Sequence, residues 1–221
     1  MVVVIFDWDG TLANSMPNVL DEFGRFALEI FNLEPQMIKN IMLEHLGERL
    51  PAHIQRTAKI ANQKLSENEL SELVEKCAER FIKRIIASPL FPEVKNVMKK
   101  LKRKGYKLII SSGMMKEPLI NAVKRQRLEK YFCLILGTVK DFYKGKAHFD
   151  FISKKYNVKP QQMVFVGDGP FDMMVGKEYG CFTVGRVDQI DAEELLKAGA
   201  DAVIINLLEL PELIDEQFSG K

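Results

Sequence analysis

Two aspartates, Asp7 and Asp9, stand where the apolar run Val2-Val3-Val4-Ile5-Phe6 meets Gly10-Thr11-Leu12. Alternate side chains on an extended chain point the same way, so both carboxylates can face one spot while Trp8 points elsewhere. Acids held that close repel unless a cation or a proton lies between them. Three later stretches carry groups that answer them: Ser111-Ser112-Gly113, Lys144-Gly145-Lys146 and Gly167-Asp168-Gly169-Pro170-Phe171-Asp172. Brought together, the acids form an oxygen-only donor set, which suits a hard ion, most simply Mg²⁺ with several waters kept, and argues against zinc. A hydroxyl, the amides of a tight Ser-Gly loop and a lysine add what is needed to hold a tetrahedral dianion. Phosphoryl transfer asks mainly for positioning and charge neutralisation, and a carboxylate can itself attack phosphorus. Each residue also has a plainer use. Asp7 and Asp9 can serve as a helix cap and a turn residue, Asp172 can cap the helix after it, and Ser111 can simply end a strand.

The elements that must position these groups are legible in the apolar pattern. A continuous apolar run closed by a turn signal reads as a strand buried on both faces, and Val2–Phe6 is one. From Pro17 to Ser88 no strand is convincing. Val19, Phe23, Phe26, Ala27, Ile30 and Phe31 recur at helical spacing, with Pro35 as a stop. Met37 to Leu46 repeats the pattern up to Gly47, and Ile54, Ala58, Ala61 and Leu65 give a third face. Ser66 with Glu69 is a capping box opening a helix through Ile85. These stripes read as the core of a helical bundle inserted into a parent fold. From Phe91 onward strand, loop and helix alternate. Strands are expected at 107–110, 134–136, 164–166, 181–184 and 202–205, and helices at 92–104, 119–131, 146–156, 173–179 and 191–196. The basic cluster of Lys99 to Lys104 reads as helix-end cations on a solvated face. Alternating strands and helices imply a doubly wound, Rossmann-like parallel sheet, an α/β fold that binds ligands beyond the carboxyl ends of its strands. Asp7, Asp9, Ser111, the lysine pair, Asp168 and Asp172 all fall at or just after such ends, so they should converge.

At these residues the chain resembles the haloacid dehalogenase-like hydrolase superfamily. Its first motif stands as Ile5-Phe6-Asp7-Trp8-Asp9-Gly10-Thr11-Leu12, its second as Leu108-Ile109-Ile110-Ser111, its third within Lys144-Gly145-Lys146, and its fourth as Gly167-Asp168 followed by Asp172. The resemblance implies residues 1–15 and 89–221 as a catalytic core and 16–88 as a helical cap that selects the substrate, as in phosphoglycolate phosphatases and β-phosphoglucomutase. It implies Asp7 as nucleophile and Asp9 as the acid that protonates the leaving oxygen and then the base that activates water. Asp7, the backbone carbonyl of Asp9, and Asp168 would bind Mg²⁺, with Asp172 supporting the metal directly or through water. Ser111 would hydrogen-bond the phosphoryl group, with Ser112 as its alternative and Gly113 in the same loop. Lys144 would offset charge on nucleophile and phosphate, with Lys146 the alternative. Asn14 stands where many relatives carry Asp. Within 46–50, the stretch expected to face the site, Arg49 would read an anionic group on the substrate or make a surface ion pair.

The 221 residues suffice for one domain with an insertion, and a formal net charge of +2 asks for neither nucleic acid nor membrane as partner. Three scattered cysteines, Cys77, Cys133 and Cys181, suggest reduced thiols in a cytoplasm rather than a disulfide framework. There is no spanning apolar run and no signal-peptide pattern. His45, His53 and His148 read as structural or surface residues, Trp8 as packing, and Thr11 and Asn14 as loop-fixing. The expected activity is Mg²⁺-dependent hydrolysis of a small phosphorylated metabolite, because Asp9 favours phosphoryl transfer over dehalogenation, which needs no second acid. A phosphosugar mutase using the same intermediate, and a non-catalytic ligand-binding protein that kept the fold, are the alternatives.

Overall fold

The computed structural model describes residues 1–218, apart from the side chain of Lys83. Six strands form one sheet in the order β3-β2-β1-β4-β5-β6, and every neighbouring pair is parallel. The strands are β1 (Val3–Phe6), β2 (Lys107–Met115), β3 (Leu134–Thr138), β4 (Met163–Gly167), β5 (Phe182–Arg186) and β6 (Ala202–Ile204). The first strand lies in the middle because it is apolar on both sides, and all four of its side chains are fully buried. Each such burial contributes roughly 1.5–3 kcal/mol, enough to fix the strand that carries the first acids. Val4 and Phe6 pack on one face with α5 (Val94–Arg103), α6 (Lys116–Arg125) and α10 (Leu210–Phe218). Val3 and Ile5 pack on the other with Phe149 and Ile152 of α7 (Lys146–Tyr156). Two more core helices are α8 (Pro170–Tyr179) and α9 (Ala192–Lys197), the latter capped by Asp191.

Four helices lie between β1 and α5: α1 (Met16–Phe31), α2 (Pro35–Glu44), α3 (Leu50–Ile60) and α4 (Glu67–Ile85). Phe23, Phe26, Ile38, Ile54 and Cys77 meet in their interior. The capping box at Ser66 forms, with each partner's side chain bound to the other's backbone. Pro35 does not end α1, contrary to expectation. Asn32 ends it in the left-handed region (φ 53°), and Pro35 opens α2, where its fixed φ and missing N–H cost nothing. The chain segments entering and leaving these helices are zipped together: Asn14 N donates to Pro89 O at 2.8 Å, and Phe91 N to Leu12 O at 3.1 Å.

Two core elements differ from the sequence reading. β2 runs on to Met115 with a shift of register against β3 after Ser111, so the Ser-Ser-Gly stretch lies within the strand rather than after it. α6 starts at Lys116 and stops before Arg127, whose left-handed φ of 57° turns the chain without a glycine to announce it. No helix among the described residues is long and apolar enough to cross a membrane.

Candidate active site

The register of the sheet assembles the site. Phe6 pairs with Ile110 on one side and Val166 on the other, so Asp7, Ser111 and Gly167 follow at one level along the carboxyl edge. Asp7 stays in the ladder, its N–H donating to Val166 O at 2.9 Å. The chain then turns, with Leu12 N and Ala13 N both donating to Trp8 O. Gly10 sits in this turn at φ +73°, and a Cβ there would lie 1.9 Å from Asp168 Oδ2, so no other residue fits. Thr11 donates its hydroxyl to Asp168 Oδ1 at 3.0 Å, and Ser15 donates to Asp9 Oδ1 at 2.6 Å. Asp168 and Asp9 are thus each aimed by a hydroxyl from the stretch that follows β1.

Asp172, in the first turn of α8, accepts from Gly169 N at 3.3 Å with one oxygen and from Lys144 with the other. It therefore acts both as the helix-start residue and as a member of the acid cluster. Lys144 Nζ lies 2.6 Å from Asp172 Oδ1 and 3.0 Å from Asp7 Oδ2, and is buried. Lys146 turns the other way, 80% exposed, and pairs with Asp150 on its own helix. The structure thus brings Lys144, not Lys146, to the acids.

Asp7, Asp168 and Asp172 each place a carboxylate oxygen within 4.8 Å of the others'. Two oxygens, Asp7 Oδ1 and Asp168 Oδ2, are buried with no hydrogen-bond partner. Buried acceptors left unpaired are costly, and three clustered carboxylates with one lysine are short of positive charge. Burial pushes the Asp7 carboxyl up to about 7, against the pull of Lys144 and with repulsion from Asp172 and Asp9 added. Burial, then repulsion from Asp7 and Asp172, also carries Asp168 well above the carboxylate range. Asp9 is raised to about 6 by burial, opposed by the Ser15 hydrogen bond and by Lys144. Burial opposes the charge of Lys144, but Asp172 and Asp7 outweigh it and hold its pKa above the ordinary lysine value. Orphaned oxygens and excess negative charge are what a hard divalent cation would relieve, so the donor set fits Mg²⁺.

The serines require a correction. Ser111 was the expected phosphoryl ligand, but its Oγ lies 2.9 Å from His148 Nδ1, fully buried. Alternation along β2 explains this: Ser111 shares the side of Ile109, which packs with Phe149 of α7, next to His148. Ser112 and Gly113 instead line the cavity above the acids, with Ser112 Oγ accepting from Met114 N at 3.1 Å. His148 is a core residue, and burial, then Lys144, lowers its pKa to about 4. Trp8 is buried packing, as expected.

That cavity, about 330 Å³, lies between the acid cluster and the helices α1–α4, and Asp7, Asp9, Lys144 and Asp168 face it. The stretch 46–50 borders it as well. Leu46 O accepts from Phe171 N at 3.3 Å, and a Cβ on Gly169 would meet that carbonyl at 2.4 Å, so glycine permits this close approach. Arg49 is exposed and stacks its guanidinium 3.9 Å from the Tyr143 ring centre, with no carboxylate partner among the described residues. The surface ion pair weighed for it falls instead to its neighbour Glu48, which holds Arg56 at 3.0 Å.

Arg186, not singled out in the sequence, proves central to the loop. It ends β5, donates to Gly10 O at 3.0 Å, lies 3.3 Å over the Phe91 ring and pairs with Glu93 at 3.3 Å, all buried. The rule that picked out the aspartates, a polar residue at the carboxyl end of an apolar strand, also marks it.

A doubly wound α/β sheet with an acid–lysine centre on its carboxyl edge and helices inserted after the first strand defines a class of hydrolase. The model of the haloacid dehalogenase-like hydrolase family matches residues 4–186, and the chain belongs to that family. It is similar to a phosphoglycolate phosphatase of Haemophilus influenzae, 29% identical over 187 residues, which cover 81% of this chain and 83% of that protein. Among solved structures, a predicted phosphatase from Clostridium acetobutylicum superposes with a TM-score of 0.84 at 18% identity, covering 97% of this chain and 98% of that one. A β-phosphoglucomutase from Clostridium difficile reaches 0.81 at 20% identity, covering 99% and 98%. At these identities the two structures speak for the fold alone.

Proposed function

We propose that the protein is a Mg²⁺-dependent phosphatase that hydrolyses a small phosphomonoester through an aspartyl-phosphate on Asp7. The observation that carries the reading is the buried contact of Lys144 with both Asp7 and Asp172 beside two orphaned carboxylate oxygens, at the floor of a cavity. The family and the phosphoglycolate phosphatase relative support it. In this reading residues 1–15 and 89–221 form the catalytic core and 16–88 a cap that admits and chooses the substrate. Asp7, Asp168, Asp172 and the backbone carbonyl of Asp9 would hold Mg²⁺, which when bound neutralises the acids and draws charge from the phosphoryl oxygens.

The chain's own residues do the following. A carboxylate oxygen of Asp7 attacks phosphorus, and the bond from phosphorus to the ester oxygen breaks. Asp9, fixed by Ser15, gives its proton to that oxygen, and the alcohol leaves. Asp9 then takes a proton from water as the water's oxygen attacks the phosphorus of the aspartyl-phosphate, releasing phosphate and restoring Asp7. Lys144 keeps Asp7 oriented and offsets its charge. Ser112 and the backbone amides of β2 around Gly113 hold the phosphoryl oxygens. Arg49 lies at the rim, where it can meet charge on an incoming substrate.

The test is phosphate release from a panel of phosphomonoesters by the purified protein with Mg²⁺. Release that stops with Asp7→Asn and with chelation is expected. A folded protein inert on the whole panel would overturn the reading. Interconversion of sugar phosphate isomers without free phosphate would replace it with a mutase.

A further inference from the structure

The cavity says what kind of group the phosphate carries. Its lining narrows the phosphatase reading, on which the assignment below rests. Above the floor of acids and Lys144, the longest wall is α4, which presents Val74, Ala78, Phe81, Ile82 and Ile85, spaced as one face of a helix. Met114, from the end of β2, also lines the space. The charged side chains away from the floor are elsewhere engaged or at the mouth: Glu48 is held by Arg56, Arg49 is exposed and stacked on Tyr143, and Lys140 is exposed. Two uncharged polar side chains also line the space: His53 of α3, whose ring burial keeps uncharged at neutral pH, and Thr138, whose hydroxyl donates to Gly113 O at 3.0 Å.

A carboxylate, or the ring of hydroxyls on a sugar, entering this space would give up its water without finding matching partners on the α4 wall. Each polar group left unpaired would weaken binding roughly 5- to 150-fold. A site built for such groups carries buried donors and acceptors aimed at them. An alkyl or aryl group meets the opposite balance, because it covers apolar wall that water now touches. We infer that the substrate is a phosphomonoester with an apolar body, an alkyl or aryl phosphate, seated along the α4 stripe with its phosphate on Asp7.

The experiment compares kcat/KM for ethyl, butyl, hexyl and phenyl phosphate with that for phosphoglycolate and glucose 6-phosphate, using the full chain with Mg²⁺. Binding of the matching alkylphosphonates is measured alongside by calorimetry. Each added methylene should raise kcat/KM about fourfold until the cavity is full, placing hexyl phosphate, four methylenes longer, about 250-fold above ethyl phosphate. Phosphonate binding should strengthen in the same order with a negative heat-capacity change. Val74→Thr, which keeps the shape but adds a hydroxyl, and Ala78→Leu, which fills the space, should each reduce the hexyl-to-ethyl ratio at least fivefold. Phosphoglycolate or glucose 6-phosphate outpacing hexyl phosphate would overturn this inference and leave the phosphatase reading intact. A ratio unmoved by both variants would overturn it as well. If no ester releases phosphate, the phosphatase reading fails by itself. Chain-length-dependent phosphonate binding would then still uphold the apolar site, and its absence would remove it.

Discussion

Replacing Lys144 with methionine keeps the length of the side chain and removes its charge. The ammonium lies 2.6 Å from Asp172 and 3.0 Å from Asp7, with 3% of its side chain exposed. At an effective dielectric of about 20, each contact amounts to about 5–6 kcal/mol of Coulomb attraction, from which the cost of burying the ammonium must be subtracted. The formal charge of Asp7, Asp168, Asp172 and Lys144 goes from −2 (three acids, one lysine) to −3. Removing one partner of a buried pair typically costs about 3–5 kcal/mol, because the remaining charge is stranded. Lys144→Met should therefore lose about that much unfolding free energy without metal, measured by urea titration with EDTA present. Mg²⁺ should return more stability to the variant than to the wild type, since it restores positive charge where more is missing. Phosphate release should fall about 100-fold or more, the scale of losing one charge-stabilising group at a reacting centre. A metal-free variant within about 1 kcal/mol of wild type would show that the lysine does not balance the acids. Turnover within about threefold of wild type would remove it from the chemistry.

The other predictions follow from the same geometry. Asp7→Asn and Asp9→Asn should each abolish turnover while far-UV circular dichroism and cooperative melting persist; activity retained by Asp7→Asn excludes it as nucleophile. Removing Mg²⁺ with a chelator should stop phosphate release, and adding it back should raise the melting temperature in a concentration-dependent way, as binding to the folded state alone requires. His53 is held at a pKa of about 4 by burial, opposed by Glu48 and assisted by Arg56 and His45, whereas the unfolded chain titrates near 6.5. The unfolded state thus binds the extra proton between those values, so stability falls as pH drops from 6.5 towards 4, by about 2 kcal/mol at pH 5; the pH slope of His53→Gln in urea titrations should be flatter, and an identical slope refutes the assignment. Arg186→Leu should lower stability by about 3 kcal/mol by stranding Glu93, with part of that returned in the double variant with Glu93→Gln.

The sheet was legible because parallel strands covered on both faces read as unbroken apolar runs, and β1, buried along its whole length, is the plainest of them. The acids were legible because they fall at or just after the ends of several such runs, and in a parallel sheet those ends share one edge. Side-chain direction was not legible. Lys144 and Lys146 flank Gly145, whose φ of +109° sends one lysine inward and leaves the other on the helix surface. Nothing in the residue types forecasts that. Ser111 and Ser112 are chemically alike, and the choice between them is the alternation of a strand that proved longer than its apolar part. Arg186 was missed because a charged residue after a strand is most often solvated, and only the approach of Phe91 and Glu93 shows that this one is not.

The stripe on α4 poses the same difficulty at a larger scale. Val74, Ala78, Phe81, Ile82 and Ile85 recur at helical spacing, the pattern of a helix that covers a core. Cys77, one residue from Ala78, is in fact fully buried among the helices, while the stripe beside it borders the cavity over Asp7 and Asp9. A hydrophobic face and a hydrophobic binding wall demand the same residues, since both are apolar surface kept from water, and only the presence of space above one of them tells them apart. The segment 46–50 borders that space and touches the core at Gly169 and Phe171. On the proposed reading, the glycine that admits Leu46 O would bear on substrate choice without facing the substrate. Gly169→Ala would push the loop out by the clash at 2.4 Å and widen the cavity beside it. Its hexyl-to-ethyl preference should then fall towards unity while turnover of ethyl phosphate drops far less than for any change at the acids. Equal loss on both esters would mean instead that the contact serves the chemistry itself.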